Sequence, residues 1–267
     1  MRAPVKGPRV EGGFSLVSAA RLAQDPSPRP KWADEPARKL ASQGLLITFS
    51  GMDGSGKTTA AERLVASLQT RGVRAVYFYG HRPSYHKEKT QLSFSIFFKS
   101  MWRRSGRTPE EFARHPRVKS VYDLATFLDY LIIQWRLFVR RRPNTIVIVD
   151  RYVPDILAYL RFLGPTRSSI ESLFVATAFD PDVALFFDVS PTRAFARKQE
   201  QTPEELQRFA DVYTTLRKEI PLVTVDASGT IDDVQAQLER MMRERVGLAM
   251  LGRASKDAVA GLRRPTD

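Results

Sequence analysis

The 267-residue chain has no cysteine and only three histidines, His81, His86 and His115. The first absence excludes disulfides, thiolate zinc sites and cysteine nucleophiles. The second leaves no imidazoles at metal-binding spacing. No apolar run approaches the ~20 residues needed to span a membrane, so a soluble, cytoplasmic protein is expected. Acids are also scarce, 29 Asp and Glu against 42 Lys and Arg, for a net charge of +13. Such an excess suits a protein that handles phosphates, and equally one that meets nucleic acid or an anionic surface. Its distribution points to solvated basic faces. Much of it sits in the two ends, and the rest clusters at 99–104 and 136–142. No ordered aromatic–basic repeat accompanies those clusters, so nucleic acid is not an expected partner.

With 43% hydrophobic residues the chain can build a sizeable core. Residues 1–43 are rich in Pro, Gly and Ser and carry the breaker run Asp25-Pro26-Ser27-Pro28-Arg29-Pro30. They are expected to form a disordered basic extension. Glu11, Asp25 and the lack of a sustained basic amphipathic helix argue against a targeting peptide there. Residues 244–267 read as a basic tail. Between them, short apolar runs alternate with longer helical stretches, the pattern of a parallel sheet with crossover helices. Strands are predicted at 45–50, 75–79, 145–149, 183–188 and 222–225. Helices are predicted at 57–70, 120–141, 153–163, 191–198, 203–218 and 231–243. The unbroken Thr-Ile-Val-Ile-Val of 145–149 implies a strand buried on both faces.

The strongest local signal is Gly51-Met52-Asp53-Gly54-Ser55-Gly56-Lys57-Thr58, directly after the apolar run 45–49. Strand, glycine loop and helix start are the context that a phosphate-binding loop requires. Glycines let successive N–H groups converge on a phosphate, and the helix N-terminus adds partial positive charge. Lys57 would reach the terminal phosphates of ATP, and the Thr58 hydroxyl would ligate Mg²⁺. Gly51, Asp53, Gly54, Ser55, Gly56, Lys57, Thr58 and Thr59 are the expected nucleotide-binding residues. The fold expected is α/β, a P-loop NTPase-type three-layer sandwich with a five-stranded parallel sheet and helices on both faces. A second constellation, Asp150-Arg151-Tyr152, closes the strand 145–149. Ligands gather at such C-terminal strand edges. Asp150 can hold Mg²⁺ there, and the Arg151 guanidinium can fork onto phosphate oxygens.

Phe49 to Thr59, then Asp150-Arg151-Tyr152 with Leu157-Ala158-Tyr159, resembles the thymidylate kinase family of nucleoside monophosphate kinases. Pro181 to Pro191 and Val223 to Ala227, with Ile231 to Val234, resemble its fourth strand and last strand–helix unit. The resemblance covers about 44–243 and implies ATP- and Mg²⁺-dependent phosphoryl transfer to a nucleoside monophosphate. It implies that Asp53 lies near the acceptor sugar and metal, that Arg151 meets the acceptor phosphate, and that Tyr159 packs by the sugar. It also implies a lid, here about 191–206. The loop positions 52–55 offer no basic group, so Arg193, Arg197 or Lys198 should supply the lid cation, with Arg197 favoured. Family members often dimerise through the long helix, where Leu131, Ile132, Ile133, Trp135 and Leu137 could serve, or could equally be buried in the monomer.

The departures fall on the acceptor side. Where the family carries an Arg in the long helix, this sequence has Asp129-Tyr130, with Phe127 as a candidate base-stacking aromatic. The small polar residues after Asp-Arg-Tyr are replaced by Asp155 and Ile156; Asp155 would suit an amino-bearing base. After the second strand, His81-Arg82-Pro83-Ser84 keeps only the Arg-Pro of the family pattern, leaving Arg82 as an acceptor contact. Two alternatives therefore stay open: a related kinase with another acceptor, and a non-catalytic nucleotide-binding protein with polyanion-binding tails.

Overall fold

The structure, a computed structural model, describes residues 35–80, 94, 100, 104–106, 111 and 113–246. Its elements in chain order are α1 (Glu35–Gln43), β1 (Leu45–Ser50), α2 (Lys57–Thr70), β2 (Arg74–Tyr79), α3 (Pro116–Arg140) and β3 (Thr145–Asp150). There follow α4 (Val153–Leu163), α5 (Ser168–Ala176), β4 (Val183–Asp188), α6 (Pro191–Arg197), α7 (Pro203–Glu219), β5 (Val223–Asp226) and α8 (Ile231–Val246). The five strands form one all-parallel sheet in the order β2-β3-β1-β4-β5. Every residue of β1 and β3 is buried, so both faces of the sheet centre are covered.

This order fixes the site. β1 and β3 are neighbours, with Phe49 opposite Asp150, so the glycine loop leaving β1 and the Asp-Arg-Tyr segment leaving β3 emerge side by side. α2 buries Ala60, Ala61, Leu64 and Leu68 at helical spacing and packs on the sheet. It stops at Gly72 (φ 77), where the N–H groups of Gly72 and Val73 donate back to Gln69 and Leu68.

Predicted and observed elements agree to within a few residues at their ends, with two exceptions. Residues 35–43, assigned above to the disordered extension, form α1. Leu40 of that helix is buried, its carbonyl accepts from Asn144 N–H at 2.7 Å, and Lys39 pairs with Asp182 at 2.6 Å. The helix α5 was not predicted. It is short and buries little beyond Phe174, so its periodicity is faint. α3 starts at Pro116 rather than 120, because proline suits the first helical turn, where an N–H has no partner to lose. No helix among the described residues is long and apolar enough to cross a membrane.

Candidate active site

The glycine loop wraps the end of β1. Gly56 adopts φ 86 and caps α2, a left-handed conformation that only glycine takes without strain. Gly54, at φ 79, lies against α6: a Cβ there would stand 2.3 Å from the Ala194 carbonyl oxygen. Lys57 is 4% exposed, and its ammonium donates to Gly51 O and Met52 O, both at 2.6 Å, and to Ser55 Oγ at 3.2 Å. Burial, reinforced by the nearby Arg151 cation, lowers its pKa to about 8 against the pull of Asp155, Asp150 and Asp53. Thr59 and Ser55 line the outer flank of the loop, a cavity of about 330 Å³ shared with Arg197, Gly229 and Thr230.

Asp150 closes β3 beneath the loop. Its Oδ2 accepts from Thr58 Oγ1 at 2.5 Å and from the Tyr77 hydroxyl at 3.0 Å. Its Oδ1 is buried with no partner. A buried carboxylate oxygen without a donor is costly unless something positive meets it. Together with the Thr58 hydroxyl it offers the hard oxygen ligands that Mg²⁺ prefers. Tyr77, which the sequence analysis did not single out, orients that carboxylate. Alternating residues on β2 could have flagged it, since it sits one strand from β3.

Arg151 has φ 69, rare for a residue with a side chain, and its N–H donates to Phe49 O at 2.9 Å. That backbone turn throws the guanidinium onto Asp53, with which it pairs. Burial alone would raise the Asp53 pKa, but Arg151 and Lys57 overrule it and hold the carboxylate below its ordinary value. The pair opens onto a cleft of about 180 Å³ whose walls include Tyr79, Tyr159, Lys198, Glu200 and Phe209. The structure thus brings Asp53, Arg151 and Tyr159 together around one cleft.

Two other expected residues, Phe127 and Arg197, lie outside that cleft, while Asp155 is among its walls with its carboxylate turned inward. Asp155 is 2% exposed and fully engaged: Oδ1 accepts from Gly51 N–H (3.2 Å) and the Tyr213 hydroxyl (3.0 Å), and Oδ2 from Tyr152 N–H (3.1 Å). Those bonds brace the loop and cap α4. Phe127 packs edge-on against Phe174, ring centroids 5.2 Å apart, in the contact between α3 and α5, and does not line the cleft. Arg197 donates to Ala227 O (2.8 Å) and Gly229 O (2.9 Å), tying down the loop after β5. Arg193 likewise binds Ser228 O. Of the three candidate cations, Lys198 is the one lining the cleft with Asp53 and Arg151, paired to Glu200 at 3.0 Å. A cation one residue past the end of α6 leaves the helix surface and can turn inward, whereas Arg197 is held by carbonyls. Arg82 lies outside the described residues.

A parallel α/β sheet with a phosphate loop on its central strand, a hydroxyl–carboxylate pair beside it and an arginine facing a separate cleft defines a P-loop phosphotransferase that handles two phosphorylated substrates. No family model matches the chain. It is 30% identical over 231 residues to a thymidylate kinase of Xanthomonas euvesicatoria, covering 82% of this chain and 91% of that protein. It is also 30% identical over 211 residues to a thymidylate kinase of Caenorhabditis elegans, covering 74% and 90%. Among solved structures, thymidylate kinase from Candida albicans superposes with a TM-score of 0.54 at 19% identity, over 76% of this chain and 92% of that one, a likeness of fold. The chain belongs to the thymidylate kinase family, and with it to the nucleoside monophosphate kinases.

Proposed function

We propose that the protein transfers the γ-phosphoryl group of ATP to thymidine monophosphate. The observation that carries this reading is the adjacency of three pairs at the ends of β1 and β3: Lys57 with its carbonyls, Thr58 with Asp150, and Arg151 with Asp53. In the reading, the loop N–H groups and Lys57 hold the β- and γ-phosphates, and Thr58 and Asp150 would hold Mg²⁺. When bound, Mg²⁺ neutralises part of the charge on those phosphates. Arg151 draws the acceptor phosphate in line with the γ-phosphorus. An acceptor phosphate oxygen attacks it, the bond to the β–γ bridging oxygen breaks, and ADP leaves with that electron pair. Alignment and charge neutralisation carry the rate, so no covalent intermediate is needed. Residues 191–206 act as the lid, and Lys198 exchanges Glu200 for the moving phosphoryl group.

A second reading, a different acceptor, is favoured by Asp129. It stands where the family carries an arginine, and one of its oxygens already accepts Phe94 N–H at 2.7 Å. ADP release from ATP and Mg²⁺ against a panel of nucleoside monophosphates and free nucleosides decides between them. Activity should peak on thymidine monophosphate and fall by roughly 10²–10³ or more in Lys57→Ala, which loses a charge-stabilising donor. A peak on another acceptor would establish the second reading, and transfer that survives in Lys57→Ala would overturn the mechanism.

We also propose a homodimer through α3. Val121, Leu124, Leu128, Leu131, Trp135 and Phe138 are exposed along one stripe of that helix, Trp135 by 66%. Their alternating three- and four-residue spacing is that of a helix–helix seam. Ile133 and Leu137, also named from sequence, are buried within the monomer.

A further inference from the structure

Tyr213 lies on α7, and no expectation from sequence touched it. It is 3% exposed, with its ring 5.2 Å from that of Phe186, and burial raises its pKa well above the ordinary value, so the hydroxyl keeps its proton. That single hydrogen faces two acceptors, Asp155 Oδ1 at 3.0 Å and Gly51 O at 3.1 Å. Gly51 O also receives the Lys57 ammonium at 2.6 Å, the stronger, charge-assisted bond. While Lys57 rests there, the hydroxyl hydrogen is best used by Asp155. A bound phosphate draws Lys57 away from the two carbonyls that it now touches. Met52 O then keeps a partner, because Ser55 N–H donates to it at 3.3 Å. Among the described residues, Gly51 O has only the Tyr213 hydroxyl to turn to.

We propose that Tyr213 is a positioning residue for the phosphate loop: its hydroxyl rotates from Asp155 to the Gly51 carbonyl as Lys57 moves onto the nucleotide. Asp155 tolerates the exchange, since it retains the N–H groups of Gly51 and Tyr152. The loop entry is thereby held in one shape whether Lys57 is on carbonyl or phosphate, and the helix that follows the lid is fastened to the donor site. The inference rests on the nucleotide-binding reading above.

The test is Tyr213→Phe in the full chain, which keeps the ring and removes the hydroxyl. Without nucleotide, Lys57 still satisfies Gly51 O and Asp155 loses one of three donors, so the melting temperature should fall by roughly 2–8 °C. With ATP and Mg²⁺ the carbonyl loses its replacement. The ATP KM should rise roughly tenfold, the size expected for one buried acceptor left unpaired, while the acceptor KM stays within about twofold. The ATP-induced thermal shift should shrink in step. Phe186→Leu is the packing control. It should lower the melting temperature while leaving the ATP-induced shift intact. An unchanged ATP KM in Tyr213→Phe overturns the proposal, as does a loss of stability without nucleotide that accounts for the whole change. If wild type itself gives no ATP-induced shift, the nucleotide-binding reading falls and this inference falls with it. A wild-type shift that Tyr213→Phe reproduces in full removes this inference alone.

Discussion

Asp155→Asn separates a structural carboxylate from a base-reading one. The side chain accepts three hydrogen bonds and donates none. Asparagine is nearly isosteric, but one of its two terminal atoms is a donor. Turned toward Tyr152, the amide NH₂ faces the Tyr152 N–H; turned the other way, it faces the Gly51 N–H and the Tyr213 hydroxyl. The first orientation is cheaper, because it strands one buried N–H while the second strands the Gly51 N–H and displaces a hydroxyl. One stranded buried donor costs about 1–3 kcal/mol. For an ordered domain of roughly 200 residues, each kcal/mol moves the melting temperature by about 2–4 °C. Thermal unfolding followed by circular dichroism should therefore show a drop of roughly 2–12 °C, with Asp155→Ala falling further because both N–H groups lose their acceptor. Acceptor preference across the nucleotide panel should keep its order. A variant of wild-type stability whose preference shifts between amino- and carbonyl-bearing bases would refute this account and restore Asp155 as a reader of the base.

Two further predictions concern features away from the chemistry. The Lys119 ammonium and the Asp123 carboxylate, 3% and 1% exposed, pair at 2.7 Å, and Lys119 also donates to Thr166 Oγ1 at 2.9 Å. Lys119→Met strands the carboxylate and should cost about 3–5 kcal/mol, of which Lys119→Met/Asp123→Leu recovers most. Burial already raises the Asp123 pKa against the pull of Lys119, and the single variant raises it further. Its folded form then binds a proton that the unfolded chain has lost, so its deficit should grow as pH rises above the ordinary carboxylate range. Denaturant titrations at pH 4 and pH 8 check both the size and the sign. On the exposed stripe of α3, Leu128→Glu should convert a dimer to a monomer in sedimentation equilibrium; a wild type that sediments as a monomer at micromolar concentration would remove the dimer reading.

The donor side was legible because its signals are local. A glycine loop between an apolar run and an amphipathic helix leaves little freedom in where Lys57 and Thr58 point, and a strand ending in Asp-Arg brings both to the same sheet edge. The acceptor side needed facts that a linear pattern does not carry. Asp155 was placed correctly in the first turn of α4, but whether it turned outward to a ligand or inward to N–H groups depended on what stood above it. Its position, three residues past the cap and after Pro154, is one where an acid commonly satisfies the free N–H groups of a helix start, and that signal outweighed the analogy to a base contact. Phe127 was ambiguous because α3 is apolar on both an inner and an outer face. Neighbouring cations were not separable by pattern: the Arg197 guanidinium meets the two carbonyls after β5, while Lys198 lines the cleft. Tyr213 and Asp155 meet across 58 residues of sequence, a contact that only the packing of α7 on α4 creates.

The ion pair of Arg151 with Asp53 makes the roles of the two substrates separable. Both side chains are partly exposed, Arg151 by 18% and Asp53 by 26%, so the pair can open to an incoming phosphate without a large desolvation cost. An acceptor phosphate, with about two negative charges, competes with one carboxylate for a guanidinium that can fork onto either. Arg151→Ala should raise the acceptor KM strongly, as the loss of that fork requires. It also leaves Asp53 without its cation a few residues from Lys57, so the freed carboxylate repels the phosphates of ATP and the ATP KM should rise as well. In Asp53→Asn/Arg151→Ala that repulsion is gone: the ATP KM should return toward wild type while the acceptor KM stays high. Steady-state kinetics varying each substrate in turn distinguish the cases. If the double variant recovers both constants, Arg151 serves only to neutralise Asp53; if it recovers neither, the pair does not divide donor from acceptor as the geometry argues.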